Sequence, residues 1–227
     1  MPVAKALLLH TIACTGQLNG VALLSAANDS ELESAISRAL VEFQEGLKRH
    51  DGPLPVVREF LTHGSCVAID RATHAMLREA VASALGVHPN RDVYTVGSAK
   101  LGFSIKPKAR YRPFSDTSDV DIAVVSPEIY TSLWRQVRSF QSEKGIWKAD
   151  QERMFKLRHF WGSIHLSDIP RSPLIPTQEK LWELGRSLQR ARVAGPYRVT
   201  FAIWNEMESL ENYQCRAVAA CQETSQL

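Results

Sequence analysis

Apolar residues recur at helical spacing through much of the chain. In "DSELESAISRALVEFQEGLKR" they fall at Leu32, Ile36, Ala39, Leu40 and Phe43. This predicts an amphipathic helix capped by Asp29 or Ser30 and broken by Gly52, Pro53 and Pro55. A second helix is predicted over "DRATHAMLREAVASALG", with Asp70 as cap, Gly86 as stop, and Met76, Leu77, Ala80, Val81, Ala84 and Leu85 facing inward. Period-two, β-branched segments follow. "RDVYTVGS" reads as a short strand running into a turn, and "DVDIAVVS" as a second strand.

"PEIYTSLWRQVRSFQSEKG" predicts a helix with Ile129, Leu133, Trp134, Val137 and Phe140 inward. "ADQERMFKLRHFWG" predicts another, followed by the Pro-rich connection "SIHLSDIPRSPLIP". "TQEKLWELGRSLQRA" is expected to be a helix capped by Thr177. "GPYRVTFAIW" reads as a third strand and "NEMESLENYQCRAVAACQE" as a last helix. Strands and helices intermix, so the expected class is α+β (mixed α/β), a small mixed sheet covered by helices. Three regions are expected. These are an N-terminal arm over 1–28, poorly ordered without anchoring contacts, a core over 29–145, and a mainly helical region over 146–227 packing on that core.

Composition adds limits. The 227 residues are 44% hydrophobic and 22% charged, which suits an ordinary globular core. A net charge of +3 excludes a strong polyanion binder by bulk charge, so affinity for phosphate has to come from local clustering. Cys14, Cys66, Cys215 and Cys221 form no CxxC pair and complete no zinc spacing. They read as reduced thiols in a reducing, cytoplasmic setting. Cys215 and Cys221 fall on different faces of one helix, which argues against a bridge. The N-terminal apolar run is interrupted by His10, Thr11 and Thr15, unlike an export signal. No run reaches the ~18 apolar residues of a membrane span.

The chemistry concentrates in "VGSAKLGFSIKPKARYRPFSDTSDVDIAVV", Val96 to Val125. On a strand, Asp119 and Asp121 point to one face while Val120, Ile122 and Val124 point to the other. Two adjacent carboxylates repel unless a cation sits between them. Mg²⁺ takes a few carboxylate oxygens, with water and substrate phosphate completing its shell. Gly97 and Ser98 follow a strand, and Gly102 comes shortly after. A glycine turn brings backbone N–H groups near a phosphate, a serine hydroxyl donates to one, and a helix start adds a positive dipole end. Lys100, Lys106, Lys108, Arg110 and Arg112 interleave with Phe103, Tyr111 and Phe114. That mixture suits phosphate contact and base stacking. No G-x-S-x-G elbow is present for serine hydrolysis.

Gly97-Ser98, Gly102 and the Ser118-Asp119-Val120-Asp121-Ile122 run together resemble the signature of the DNA polymerase β-like nucleotidyltransferase superfamily, which includes minimal nucleotidyltransferases and cyclic-nucleotide synthases. The resemblance covers about Val93 to Pro127. It implies a nucleotidyltransferase-like core, with Gly97 and Ser98 at the triphosphate and Asp119 and Asp121 as catalytic ligands of Mg²⁺ (or Mn²⁺); Lys100 and Gly102, beside that turn, are expected at the nucleotide as well. The implied reaction moves an NMP from an NTP to a hydroxyl of protein, RNA or nucleotide, releasing pyrophosphate. The implied partners are thus an NTP and a protein or RNA acceptor, with no membrane.

Two departures stand out. The gap before the aspartates is long, and the family's third acid is absent from "YRVTFAI". Asp168, Glu206 and Glu208 lie nearby in sequence, the glutamates reading as ordinary residues of the last helix. Arg198 would approach a phosphate if its strand adjoined that of Asp119. The alternative is therefore a weak or inactive nucleotide-binding, antitoxin-like module of the same fold. Arg153 and His159 stand at a spacing similar to that of HEPN ribonucleases, which a basic helix also offers by chance. Phe155, Phe160, Trp161, Trp182 and Trp204 read as core.

Overall fold

The computed structural model describes residues 25–225. The chain divides into two compact units, Met1–Ser34 and Ala35–Leu227. Of the first, the described part is residues 25–34, at the start of helix α1 (Ser25–Arg49). The helix already runs through Asp29 and Ser30, so neither is its cap. Cys14, and the expected arm apart from residues 25–28, lie outside the described residues.

Within the second unit, α2 (Pro53–Val57) runs into a π-helical turn over Arg58–Thr62. The next helix, α3 (Arg71–Leu85), starts where Asp70 accepts from the Ala72 and Thr73 N–H groups, both at 3.0 Å. Leu77, Val81 and Ala82 are its buried residues, whereas Met76, expected inside, is exposed. Strand β1 (Val93–Val96) leads directly into the short helix α4 (Gly97–Leu101). Strand β2 (Asp119–Val125) is followed by α5 (Pro127–Ser142), which Ser126 caps through the Ile129 N–H.

Helix α6 (Ala149–Phe160) precedes β3 (Ser163–His165). That strand lies inside the segment expected to be a Pro-rich connection, and three residues are too few for alternation to reveal it. Helix α7 (Pro176–Arg190) has no side-chain cap of its own. Gln136 of α5 takes that role, accepting from the Thr177 N–H at 3.0 Å and donating to the Thr177 hydroxyl at 2.7 Å. The chain continues through β4 (Val193–Pro196) and β5 (Arg198–Trp204) to α8 (Met207–Ser225).

Four strands form one mixed sheet in the order β1-β2-β5-β3. β1 runs antiparallel to β2, β2 parallel to β5, and β5 antiparallel to β3. The α+β expectation holds, although the mainly helical C-terminal region also supplies β3 and β5. Val120, Ile122 and Val124 are fully buried on one face of β2. On the opposite face, beyond the aspartates, Ala123 joins Val96, Trp204 and Leu210 of α8 in a core cluster. A second cluster packs Phe43 and Leu47 of α1 against Val56, Phe103, Ile105 and Val218. Among the described residues, Cys66, Cys215 and Cys221 form no disulfide.

His165 sits near the rings of Trp204 and Tyr213. Burial pushes its pKa down to about 3, and the Arg158 and Lys106 charges add to that. The unfolded imidazole, near 6.5, binds its proton more readily than the folded one. Stability is therefore lost as pH falls through 6.5 toward 3. Thermal melts at pH 7 and pH 4.5 are expected to show a drop that narrows in His165→Phe. An equal drop in both proteins would show that His165 does not contribute.

Candidate nucleotide site

Sheet register assembles the site. Antiparallel pairing sets Val96 opposite Asp121, so the turn that follows Val96 falls beside the Asp121 carboxylate. Gly97 has φ +69°, a left-handed backbone that side chains disfavour. A Cβ there would lie 3.0 Å from Asp121 Oδ2. The structure thus brings the Gly97-Ser98 turn and Asp121 together. Asp119 and Asp121 lie on the same face of β2 and both are half-buried.

On the other side, parallel pairing sets Arg198 opposite Asp119 and Thr200 opposite Asp121. Arg198 donates to both oxygens of Asp119, from Nε at 2.8 Å and from Nη2 at 2.6 Å. The Thr200 hydroxyl donates to Asp121 Oδ1 at 2.5 Å. Burial raises the Asp121 pKa above the usual carboxylate range. The Thr200 hydrogen bond and the charges of Lys106 and Arg198 oppose the rise, while Asp119 adds to it. A buried carboxylate disfavoured in its charged form gains most from a cation held against it.

The remaining residues named from the sequence stand apart. Lys100 is 3% exposed, and its ammonium donates to the His63 and Gly64 carbonyls at 2.5 and 2.7 Å. Burial lowers its pKa to about 8. These bonds tie α4 to the end of the π-helical turn, so the Lys100 ammonium is engaged by the scaffold. Gly102 (φ +84°) closes α4, and a Cβ there would meet Val67 at 2.8 Å and Ile36 at 3.0 Å. Its role is close packing. Lys100→Ala would orphan two carbonyls and cost about 1–3 kcal/mol. The expected outcome is a lower melting temperature with nucleotide affinity unchanged. A large affinity loss in a folded variant would return Lys100 to the site.

Helix α4 has five residues, too short for a substantial dipole. A phosphate bound here would therefore have to be met by the Gly97 and Ser98 N–H groups and the Ser98 hydroxyl. The basic segment also differs from expectation. Phe103 and Phe114 are buried, and Tyr111 packs edge-on against Phe103, so these aromatics anchor the segment instead of offering a stacking platform. Lys106 is exposed and its charge reaches Asp121.

Among the described residues, no third acid appears beside the pair. Asp168 is buried and paired with Arg158 at 2.5 Å. Glu206 is exposed and accepts from the Ser209 hydroxyl. Among the described residues no group of three or more His, Cys, Asp or Glu converges as a metal site. A cation would be held by two carboxylates, with water and phosphate completing its shell, which Mg²⁺ tolerates. It would also have to draw Asp119 away from Arg198. Thr200 was not legible as a site residue. Only the parallel pairing of strands distant in sequence puts it beside Asp121.

Comparison with protein-family models, curated proteins and solved structures finds no match for this chain. The nucleotidyltransferase resemblance therefore rests on the sequence motif alone, Gly97-Ser98, Gly102 and the run Ser118-Asp119-Val120-Asp121-Ile122. No helix among the described residues is long and apolar enough to cross a membrane.

Proposed function

We propose that the site where β1, α4, β2 and β5 meet binds a nucleoside triphosphate together with Mg²⁺ or Mn²⁺. The observation that carries this reading is the Gly97-Ser98 turn lying against Asp121 on the same face as Asp119. Phosphate donors and metal ligands then address one point. Asp119 and Asp121 would hold the cation, which neutralises phosphate charge when bound. Gly97 and Ser98 would hold the terminal phosphates, and Lys106 adds positive charge near Asp121. The resemblance to polymerase β-like nucleotidyltransferases supports the same ligand class.

The register favours binding over rapid transfer. Thr200 and Arg198 occupy the strand positions next to the two aspartates, and neither is an acid. A hydroxyl nucleophile would find no third carboxylate there to take its proton. The second reading is transfer of an NMP to a protein, RNA or nucleotide hydroxyl. Its support is the half-buried Asp119, which a cation can reach if Arg198 swings toward the phosphates.

Incubation with α-labelled NTP, Mg²⁺ or Mn²⁺ and cell extract separates these readings. Binding without covalent label supports the binding module. Label that disappears in Asp119→Ala/Asp121→Ala supports transfer. Absence of metal-dependent NTP binding overturns both.

A further inference from the structure

Helices α5 and α6 enclose a groove of about 910 Å³, within the range of about 300–1,000 Å³ typical of ligand sites. Its aromatic wall comprises Trp134, Trp147, Phe155, His159 and Phe160. Trp134, Phe155 and His159 stack on one another, while Trp147 is tilted against Phe155. His159 stacks on Trp134 at 4.2 Å and 30°, and on Phe155 at 5.5 Å and 6°. Tyr130 fixes the imidazole through an Oη to Nδ1 contact of 2.6 Å. Burial lowers the His159 pKa, which favours the neutral imidazole. Arg153, on the same helix, pairs with Asp150 at 3.4 Å. Phe160, expected in the core, is 79% exposed at the groove.

The polar lining is cationic. Lys156 is paired with Glu152 at 2.7 Å. Arg135 and Arg138 are exposed and have no ion-pair partner among the described residues. Two uncompensated guanidinium groups beside the exposed Phe160 ring match a ligand that is both anionic and planar. Guanidinium groups pair with phosphate oxygens, and aromatic side chains stack bases without regard to sequence. An acidic peptide would satisfy the arginines but leave the exposed Phe160 ring without a stacking partner.

We propose that the α5/α6 groove binds a short segment of single-stranded nucleic acid, with Arg135 and Arg138 on phosphates and Phe160 stacking a base. The groove shares no element with the Gly97–Asp121 site, so this inference goes beyond the nucleotide-site reading and stands or falls separately from it.

Fluorescence anisotropy with labelled ten-nucleotide single strands of RNA and DNA, across a salt series, tests it. Saturable binding to the full chain is expected, weaker for duplex of the same length. Arg135→Ala/Arg138→Ala is expected to lower the salt slope by about 1.4, two phosphate contacts at about 0.7 each on a single strand. Phe160→Ala, a change at an exposed position, is expected to weaken binding about tenfold with the slope unchanged. Absence of binding, or binding that neither variant alters, overturns the assignment. Full competition by a poly-glutamate peptide would give the groove to a protein partner instead. Displacement by NTP with Mg²⁺ would move the strand to the Gly97–Asp121 site.

Discussion

Replacing Asp121 by alanine is expected to weaken Mg²⁺-dependent NTP binding by at least about 30-fold, the lower end of what truncating a buried charged partner costs. Asp121 is the point where the site's parts meet. Oδ2 faces Gly97, Oδ1 accepts from Thr200, and Lys106 and Arg198 place positive charge nearby. Asp121→Asn keeps the shape and a group that can accept from Thr200, but removes the charge. If charge is what holds the cation, both variants lose binding to a similar degree, as read by titration with a fluorescent NTP analogue. Retained affinity in Asp121→Asn would mean that the carboxylate serves only to anchor β5 through Thr200. Circular dichroism of both variants shows whether the fold survives.

Phe103→Ala is expected to lower the melting temperature by about 10 °C. Phe103 is fully buried and meets Phe43 at 5.4 Å and Tyr111 at 6.0 Å, both edge-on. Truncating such a ring costs about 3–5 kcal/mol, and each kcal/mol is worth about 2–4 °C in a chain of this size. The residue also tethers the basic segment. The Ser104 N–H donates to the Arg112 carbonyl and the Phe114 N–H to the Gly102 carbonyl, so the segment folds back on itself directly after Phe103. Loosening it would release the Lys106 charge from Asp121, and nucleotide affinity is expected to fall with stability. A Phe103→Leu variant retains apolar volume and should recover most of both. A melt unchanged in Phe103→Ala would remove Phe103 as the anchor.

The aspartate pair was legible in the sequence because strand periodicity alone puts Asp119 and Asp121 on one face. Gly97 was legible because a glycine after a β-branched run signals a sharp turn. The missing acid was also visible, since "YRVTFAI" contains none. What fills the place was not. Arg198 and Thr200 reach the aspartates through parallel pairing across a long crossover, and sequence pattern does not encode register over such a distance.

Lys100 read as a phosphate ligand because of its charge beside a glycine-serine turn. It is buried because α4 packs against the π-helical turn, whose terminal carbonyls need a donor. The loop aromatics read as a stacking platform from composition. Phe103 and Ile105, spaced two apart and both buried, were the overlooked sign of a segment packed on the core. The opposite error befell Phe160, whose hydrophobicity suggested burial although it lies exposed at the end of α6.

The most direct test of the nucleotide site is calorimetric titration of the wild-type chain with a non-hydrolysable NTP analogue, in Mg²⁺ and in EDTA. The expected result is saturable one-to-one binding in Mg²⁺ that is lost in EDTA. An absence of binding in both buffers, or equal binding in both, would contradict a site built on Asp119, Asp121 and the Gly97-Ser98 turn.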